Sequence, residues 1–186
     1  MRMGGCDKPL LPLAGVPIIS HLCAKLSPHC MALAISANGD AARYAHWGLP
    51  VLPDATPAYG PLAGVLAGLL WARAIGAHTL LTIPGDTPFI PATLATALMP
   101  APAVAASAGR RHHLVATWPV QCAQALQTWL AATQNDSQRR VRLFADTVNM
   151  REVSFKATPH DPFFNINTPA DYATAQQWVQ EGTAHA

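Results

Sequence analysis

The chain has 186 residues, 51% of them hydrophobic and only 12% charged, a composition that favours one compact domain over residues 1–186 and excludes a disordered segment. Its formal net charge is only +2, with 12 basic and 10 acidic side chains dispersed along the sequence, so we expect no nucleic-acid partner and no binding to an anionic membrane. Because the sequence has neither an apolar run long enough to cross a bilayer nor a signal-peptide pattern, we expect a cytoplasmic protein.

Predicted strands and helices alternate in the first half, which is typical of βαβ units and predicts a mainly parallel sheet. After the opening MRMGGCDKPLLPL, the pattern predicts a helix over about residues 18–26, a strand over about 31–37, a short helix in NGDAARYAHWG and a brief strand ending at Asp54. A further helix is expected from Pro61, since proline suits a first helical turn and apolar residues follow at helical spacing. HTLLTIPGDTPFIP then predicts a buried strand through Ile83, a turn and a new helix after Pro91.

The second half is less regular, with two short strands around AVAASA and HHLVATW, a helix over about residues 120–132, a helix in SQRRVRLFADT and a strand in REVSF. The last helix is predicted from its first residues. Thr168 is placed to cap its N-terminus, Pro169 fits the first helical position, and Asp171 completes a capping box.

Three predicted strand-to-turn junctions end in polar residues, Asn38, Asp54 and Asp86. Side chains at the carboxyl ends of strands in an open parallel sheet converge on the crevice where ligands bind, so we expect these three to be neighbours. Asp86 is a candidate Mg²⁺ ligand, since this cation commonly binds one or two carboxylates together with substrate phosphates. Alternatively, Asp86 caps the next turn through Thr87, and Asp54 allows the same two interpretations.

Lys8 follows a Gly-Gly pair in the opening segment. A lysine in such a turn can hold the oxygens of a polyphosphate, although a solvated surface lysine is the other interpretation. The sequence has no G-x-x-x-x-G-K-[ST] pattern, which disfavours a P-loop ATPase. Gly60, just before Pro61, would let the backbone approach a ligand at the positive end of a helix dipole.

Two further groups are candidate ligand contacts. Asn165 and Asn167 lie on one face of a short extended segment, where their amides could reach one ligand or satisfy loop backbone. Arg139, Arg140 and Arg142 form either a solvated helical face or a phosphate clamp, and without a partner motif we favour the face.

Together the segments MGGCDKPLLPLAGVPIISH, ISAN, PVLPDATPAYGPLAGVLAGL, LLTIPGDTPFIP, RRVRLF and DPFFNINTPADY closely resemble the molybdenum cofactor guanylyltransferases of bacteria. The resemblance covers nearly the whole chain, and its motifs are specific in combination. It implies an α/β fold of the nucleotide-diphospho-sugar-transferase type, a Rossmann-like three-layer αβα sandwich with a mostly parallel sheet. The implied reaction transfers GMP from GTP to the terminal phosphate of molybdopterin carrying molybdenum, which releases pyrophosphate.

The resemblance also implies a role for each residue that matches a family motif. Lys8 and Asp86 would be the catalytic pair, with Lys8 on the GTP phosphates and Asp86 on both GTP and Mg²⁺, the implied cofactor. GTP would also be held by Asn38, Asp54 and Gly60. The molybdopterin side would comprise Arg139, Arg140, Arg142, Asn165 and Asn167. The implied partners are GTP, molybdenum-molybdopterin, and molybdoenzymes or their chaperones.

The opening of the chain departs from the family pattern. Family members begin with an apolar strand that leads into an LAGG turn, whereas here only RMGG at residues 2–5 stands in that place. We therefore expect the first strand of the sheet to be missing from the sequence as written, which would leave neighbouring strands with unpaired backbone groups. We also expect this chain to be poorly stable and nearly inactive unless an upstream strand is restored.

Three other functions stay open at this point. A molybdopterin cytidylyltransferase or a sugar-phosphate nucleotidyltransferase would share the fold, and nothing in the composition excludes either. A non-catalytic protein that binds and delivers the finished cofactor would differ in chemistry, because it would release no pyrophosphate from GTP.

Overall fold

A computed structural model describes residues 7–54, 56, 59–133, 135 and 137–184. The Gly-Gly pair of the opening turn, Gly4 and Gly5, lies outside the described residues. Within the described ranges, no helix is both long and apolar enough to cross a membrane.

The elements follow the predicted order closely. The first half contains the 3₁₀ helix η1 (Lys8–Leu10), strands β1 (Pro12–Leu13) and β2 (Val16–Pro17), helix α1 (Ile18–Leu26), strand β3 (Ile35–Ser36), the 3₁₀ helix η2 (Ala41–Trp47), strand β4 (Val51–Leu52), helix α2 (Pro61–Ala74) and strand β5 (Thr79–Thr82). The second half contains helix α3 (Leu94–Ala97), strands β6 (Ala103–Ser107) and β7 (Arg110–Pro119), helices α4 (Cys122–Ala132) and α5 (Val141–Thr147), strand β8 (Arg151–Ser154) and helix α6 (Pro169–Gln180). The strand expected over residues 31–37 is much shorter than predicted, since only Ile35–Ser36 pairs.

The sheet is mixed rather than mostly parallel, which corrects that part of the sequence prediction. Four strands pair in the order β5-β7-β6-β8; β7 is antiparallel to both neighbours, and β6 and β8 are parallel. Ala108 and Gly109, both with positive φ, join β6 to β7 in a tight turn, and such a hairpin forces antiparallel pairing. Separately, β3 and β4 pair in parallel and β1 and β2 form a hairpin.

Helices cover both faces of the four-stranded sheet, in agreement with a three-layer α/β architecture. Neighbouring residues on a strand point to opposite faces, so Leu80 packs in one core and Leu81 against the other. The first core includes buried residues of α2, α4 and α5, namely Leu62, Leu69, Leu126, Leu130 and Phe144. The second core includes residues of α1, α3 and α6 and of the segment before α6, namely Leu22, Leu94, Phe163, Ile166 and Ala175.

An apolar cavity of about 570 Å³ lies between β3 and β5, and residues of α1 and α2 also line it. Its wall includes Leu22 of α1, Val65 of α2, Ile35 of β3 and Leu81 of β5. Among the described residues, β3 pairs only with β4 and β5 only with β7. The expectation of a missing strand is not tested by this arrangement and stays a prediction.

The capping box predicted for the last helix is present. Thr168 Oγ1 accepts a hydrogen bond from the backbone N of Asp171, and Asp171 Oδ2 accepts one from the backbone N of Thr168.

We expect Thr168→Ala to lower the free energy of unfolding by about 1 kcal/mol, the usual cost of losing such a cap, as measured by urea denaturation. Thr93→Ala is the matched control, because Thr93 precedes α3 without a side-chain capping bond and should cost less. Equal losses in both variants would contradict this expectation.

Candidate active site

The centre of the candidate site is an ion pair between two residues that are far apart in sequence. Lys8 begins η1, and Asp86 lies in the loop after β5. Lys8 Nζ lies 3.0 Å from Asp86 Oδ2 and donates a second hydrogen bond of 2.6 Å to Asn167 Oδ1. The Lys8 and Asp86 side chains are 28% and 18% exposed, so solutes can reach this pair. The structure thus brings together a cation, a carboxylate and an amide at one edge of the sheet.

The other oxygen of Asp86 is also held. Asn165 Nδ2 donates to Asp86 Oδ1 at 2.9 Å and to Thr87 Oγ1 at 2.8 Å. The backbone joins the same two loops, since the N–H of Ile166 donates to the carbonyl of Asp86 at 2.9 Å. Asp86 therefore has a tertiary role, because its side chain and its backbone both bind the segment before α6.

Asp171 links the start of α6 to this cluster. Its Oδ2 accepts hydrogen bonds from the backbone N–H groups of Asn167 and Thr168. Desolvation alone would raise the pKa of Asp171, but these hydrogen bonds and the positive charge of Lys8 together lower it. The carboxylate stays ionised and fixes the backbone of Asn167, whose side chain holds Lys8.

Gly85 allows the Lys8 turn and the Asp86 loop to approach each other. A Cβ atom placed on Gly85 would lie 2.6 Å from Cγ of Pro9, closer than real side chains tolerate. Since Gly85 precedes Asp86 and Pro9 follows Lys8, this contact lies directly beside the ion pair. Sequence reasoning did not identify Gly85, because a close approach between distant segments leaves no local pattern.

Asn38 and Asp54 form a second pair at the neighbouring strand ends. Asn38 Nδ2 donates to Asp54 Oδ2 at 2.7 Å, and the backbone N of Asp54 donates to Asn38 Oδ1 at 2.9 Å. Gly64 of α2 faces this pair, since a Cβ there would lie 3.6 Å from Asp54 Oδ1 and 2.7 Å from Ser36 Oγ. Asn38 and Asp54 are therefore neighbours, as the sequence predicts, and lie beside the first turns of α2. Asp86, which the sequence places with them, instead contacts Lys8 and Asn165, and among the described residues no hydrogen bond or ion pair joins it to this pair.

A hydrogen-bonded chain runs from this pair back to the Lys8 turn. Arg43 donates to the carbonyl of Asn38 at 2.8 Å and forms an ion pair of 2.8 Å with Asp7, the residue before Lys8. Tyr44 also donates to Asp7, at 2.8 Å. Burial, followed by that hydrogen bond and the negative charge of Asp7, raises the pKa of Tyr44 to about 12. Tyr44 therefore keeps its proton at neutral pH and holds Asp7 in place.

Gly60 occupies a backbone conformation that other residues rarely adopt. It precedes α2 with φ of 60° and ψ of −149°, a region that is essentially restricted to glycine. Its carbonyl accepts from the N–H of Ala63 in the first turn. The chain thus enters α2 without a side chain at its positive end. Gly68 lies deeper in α2 and packs against Leu80. A Cβ atom placed on Gly68 would lie 2.9 Å from Cδ2 of Leu80.

The three arginines are not grouped around the Lys8 pair. The guanidinium of Arg139 lies 4.7 Å from the ring centroid of Tyr59, which directly precedes Gly60, and it donates to the carbonyl of Thr133 at 2.5 Å. Arg140 and Arg142 are exposed at the start of α5. Arg139 is thus the member of the cluster that lies beside the N-terminus of α2.

The residues at Asp86 fit a magnesium ion that arrives with a phosphate ligand. Each carboxylate oxygen of Asp86 accepts one hydrogen bond from a side chain and keeps lone-pair capacity for a cation. Within the described ranges, no cluster of three or more His, Cys, Asp or Glu side chains forms a metal cage. Mg²⁺ commonly takes one or two carboxylates and completes its shell with water and substrate phosphates, so a single carboxylate suits it.

Lys25 of α1 holds the loop that carries Asp86. Its ammonium donates to the carbonyls of Pro88 and Ile90 at 3.2 and 3.1 Å. Burial lowers the pKa of Lys25 from 10.5 to about 8. Sequence reasoning missed this residue, because a lysine near the end of a helix usually lies in solvent.

This depressed pKa predicts a pH dependence of stability. Between about pH 8 and pH 10.5 the unfolded chain binds the Lys25 proton more tightly than the folded protein does, so the stability contributed by Lys25 rises with pH. We expect the unfolding free energy of the wild type, relative to Lys25→Met, to be larger at about pH 9.5 than at about pH 7 in urea titrations. A difference that does not change with pH would refute this assignment.

Comparisons with known proteins agree with the fold. Residues 1–148 match the family described as the MobA-like NTP transferase domain. The chain is 52% identical over 176 residues to a molybdenum cofactor guanylyltransferase of Acidiphilium cryptum, with 94% of this chain and 88% of that protein covered. It is 45% identical over 184 residues to the protein of that name from Cereibacter sphaeroides, with 97% of this chain and 92% of that protein covered. The structure of molybdopterin-guanine dinucleotide biosynthesis protein A of Archaeoglobus fulgidus superposes on this chain with a TM-score of 0.71 at 17% identity. The superposition covers 95% of this chain and 92% of that protein.

Proposed function

Since the chain belongs to the molybdenum cofactor guanylyltransferases, with the MobA-like NTP transferase domain, we propose that Lys8 and Asp86 mark the place where it transfers GMP from GTP to molybdopterin. The observation that best supports this location is the contact of the Lys8 ammonium with Asp86 and Asn167. It provides a positive and a negative group at an accessible sheet edge.

The reaction joins two anions. An oxygen of the terminal phosphate of molybdopterin attacks the α-phosphorus of GTP, the bond from that phosphorus to the bridging oxygen breaks, and pyrophosphate leaves with the electron pair. The attacking phosphate is already ionised at neutral pH, so no strong protein base is needed. The protein must instead align the reactants and offset the charge on them, which are the main contributions in phosphoryl transfer.

Each side chain of the cluster has a part in that task. Lys8 turns from Asp86 to the GTP phosphates and offsets their charge, while Asp86 binds the Mg²⁺ that accompanies them. When bound, this ion neutralises phosphate charge and stabilises the departing pyrophosphate. Asn38 and Asp54 hold the guanosine portion beside α2, and Gly60 gives the nucleotide close access to the start of that helix.

We assign the acceptor contacts to Asn167 and to the arginine cluster. Asn167 is exposed and lies beside Lys8, which supports a contact between its amide and the acceptor phosphate. Arg139, Arg140 and Arg142 add positive charge near α2 and α5 for the molybdopterin group. The acceptor carries molybdenum, and a molybdoenzyme or its chaperone receives the product.

Pyrophosphate release gives a direct test. We expect the protein, assayed in a form with an apolar strand restored ahead of Met1, to release pyrophosphate from GTP, but only slowly from CTP, when molybdopterin and Mg²⁺ are present. The variants described below are compared in the same form. Omitting molybdopterin should abolish the release, because no other acceptor attacks the α-phosphorus. Equal rates with CTP would indicate a cytidylyltransferase. Binding of the finished dinucleotide without any release from GTP would indicate a carrier.

A further inference from the structure

We propose that Asn165 is a positioning residue that aims the carboxylate of Asp86 at the metal, rather than a contact for the acceptor phosphate. This inference rests on the proposed role of Asp86. Asn165 lies on the segment before α6, and its amide nitrogen reaches Asp86 Oδ1 at 2.9 Å.

The hydrogen-bonding capacity of Asn165 decides between these two roles. A side-chain amide has two N–H donors, and here both have partners, Asp86 Oδ1 and Thr87 Oγ1. Only the amide oxygen of Asn165 is left for a ligand, and an oxygen acceptor repels a phosphate. Rotating the amide would turn that oxygen toward the Asp86 carboxylate, which also repels it. Asn165 therefore cannot donate to a phosphate while it holds Asp86.

The segment that carries Asn165 is anchored on both sides. On one side, Asp161 Oδ1 accepts hydrogen bonds from Ser107 Oγ at 2.6 Å and from the backbone N of Phe163 at 2.9 Å. On the other side, Ile166 is completely buried and its N–H donates to the carbonyl of Asp86. Thr87, the second partner of Asn165, is completely buried as well. The amide of Asn165 is thus a fixed point against which the carboxylate is oriented.

This arrangement gives the two oxygens of Asp86 different tasks. Oδ1 is held by Asn165, whereas Oδ2 is paired with Lys8, whose long side chain can move to a phosphate. When Lys8 leaves, the bond from Asn165 keeps the carboxylate from rotating and leaves Oδ2 open for the cation. Hydrogen bonds that orient metal ligands in this way typically contribute 10- to 100-fold to metal affinity or activity.

The test measures metal binding without turnover. Mn²⁺ is titrated into the wild type, Asn165→Leu and Asn135→Leu by electron paramagnetic resonance, with a GTP analogue that cannot be cleaved between the α- and β-phosphates. We expect Asn165→Leu to weaken Mn²⁺ binding about 10-fold. Asn135→Leu, the same change at an exposed position, should leave it unchanged. In turnover assays, the KM for molybdopterin should stay the same in both variants.

Two outcomes would overturn the proposal. The first is wild-type Mn²⁺ affinity in Asn165→Leu together with a raised KM for molybdopterin, which would make Asn165 an acceptor contact. If Asn165→Leu does not fold, Asn165→Gln replaces it, since the longer amide keeps its polarity but aims the carboxylate differently. The second outcome that would overturn the proposal is unchanged Mn²⁺ binding in Asn165→Gln. A wild type that binds Mn²⁺ with the analogue but releases no pyrophosphate would refute the proposed function and leave the role of Asn165 intact.

Discussion

Asp86→Ala is expected to lower Mg²⁺-dependent GMP transfer by about 10²- to 10³-fold, the range seen when one preorganised electrostatic group is removed from an active site. The variant loses the carboxylate that binds the cation and the partner that holds Lys8. The fold should persist, because Lys8 can be solvated, Asn165 keeps its bond to Thr87, and the backbone bond from Ile166 to residue 86 remains. Steady-state pyrophosphate release over a range of Mg²⁺ concentrations measures the loss, and circular dichroism checks the fold.

Two companion variants sharpen this test. Asp146→Ala removes a carboxylate that is 53% exposed and lies 3.9 Å from Arg111, so it should leave turnover near the wild-type value. Asp86→Asn keeps the shape of the side chain and removes only its charge, and it should be about as inactive as Asp86→Ala. Near-normal rates in either Asp86 variant would show that the metal binds elsewhere.

Local patterns in the sequence predicted the elements that local physics determines. The capping box at Thr168 and Asp171 is present, and α1 spans the predicted residues 18–26. The convergence of Asn38 with Asp54 was predictable as well, because strand ends of a parallel pair meet at one edge, and β3 and β4 are parallel. In each case the deciding interactions lie within a few residues or follow from a general rule of sheet topology.

Features that leave no local pattern, or that depend on tertiary contacts, were not predictable in this way. The turn between β6 and β7 contains Ala108 at positive φ, and alanine gives no sign of that conformation. The sequence therefore indicated two strands but not their antiparallel pairing. The arginine cluster shows the same limit, since the guanidinium of Arg139 packs over the ring of Tyr59, which lies far away in sequence. The amide of Asn165 likewise has a partner 79 residues away in sequence.

The Gly85 contact leads to the second large effect, a loss of about 10²-fold in kcat/KM for GTP in Gly85→Ala, because an ångström of misplacement at an active site can cost that much. Alanine suits the backbone, since Gly85 is not among the residues at positive φ. The new methyl group would instead lie 2.6 Å from Cγ of Pro9, and a proline ring cannot rotate away. The turn must shift, which separates Lys8 from Asp86 and costs about 1–3 kcal/mol of stability through overpacking.

Removing the clash from the other side should restore the enzyme. Pro9→Ala eliminates the Cγ atom and leaves Cβ at 3.3 Å, a tight but tolerable distance, so the double variant should regain most of the lost kcat/KM. Gly68→Ala is the matched control, because it crowds Leu80 at 2.9 Å within the core and should lower stability without a comparable loss of turnover at low temperature. In a Lys8→Met background, Gly85→Ala should cost little more activity, since the group it displaces is gone. A double variant as inactive as Gly85→Ala alone would mean that the Pro9 contact does not control the spacing of the ion pair.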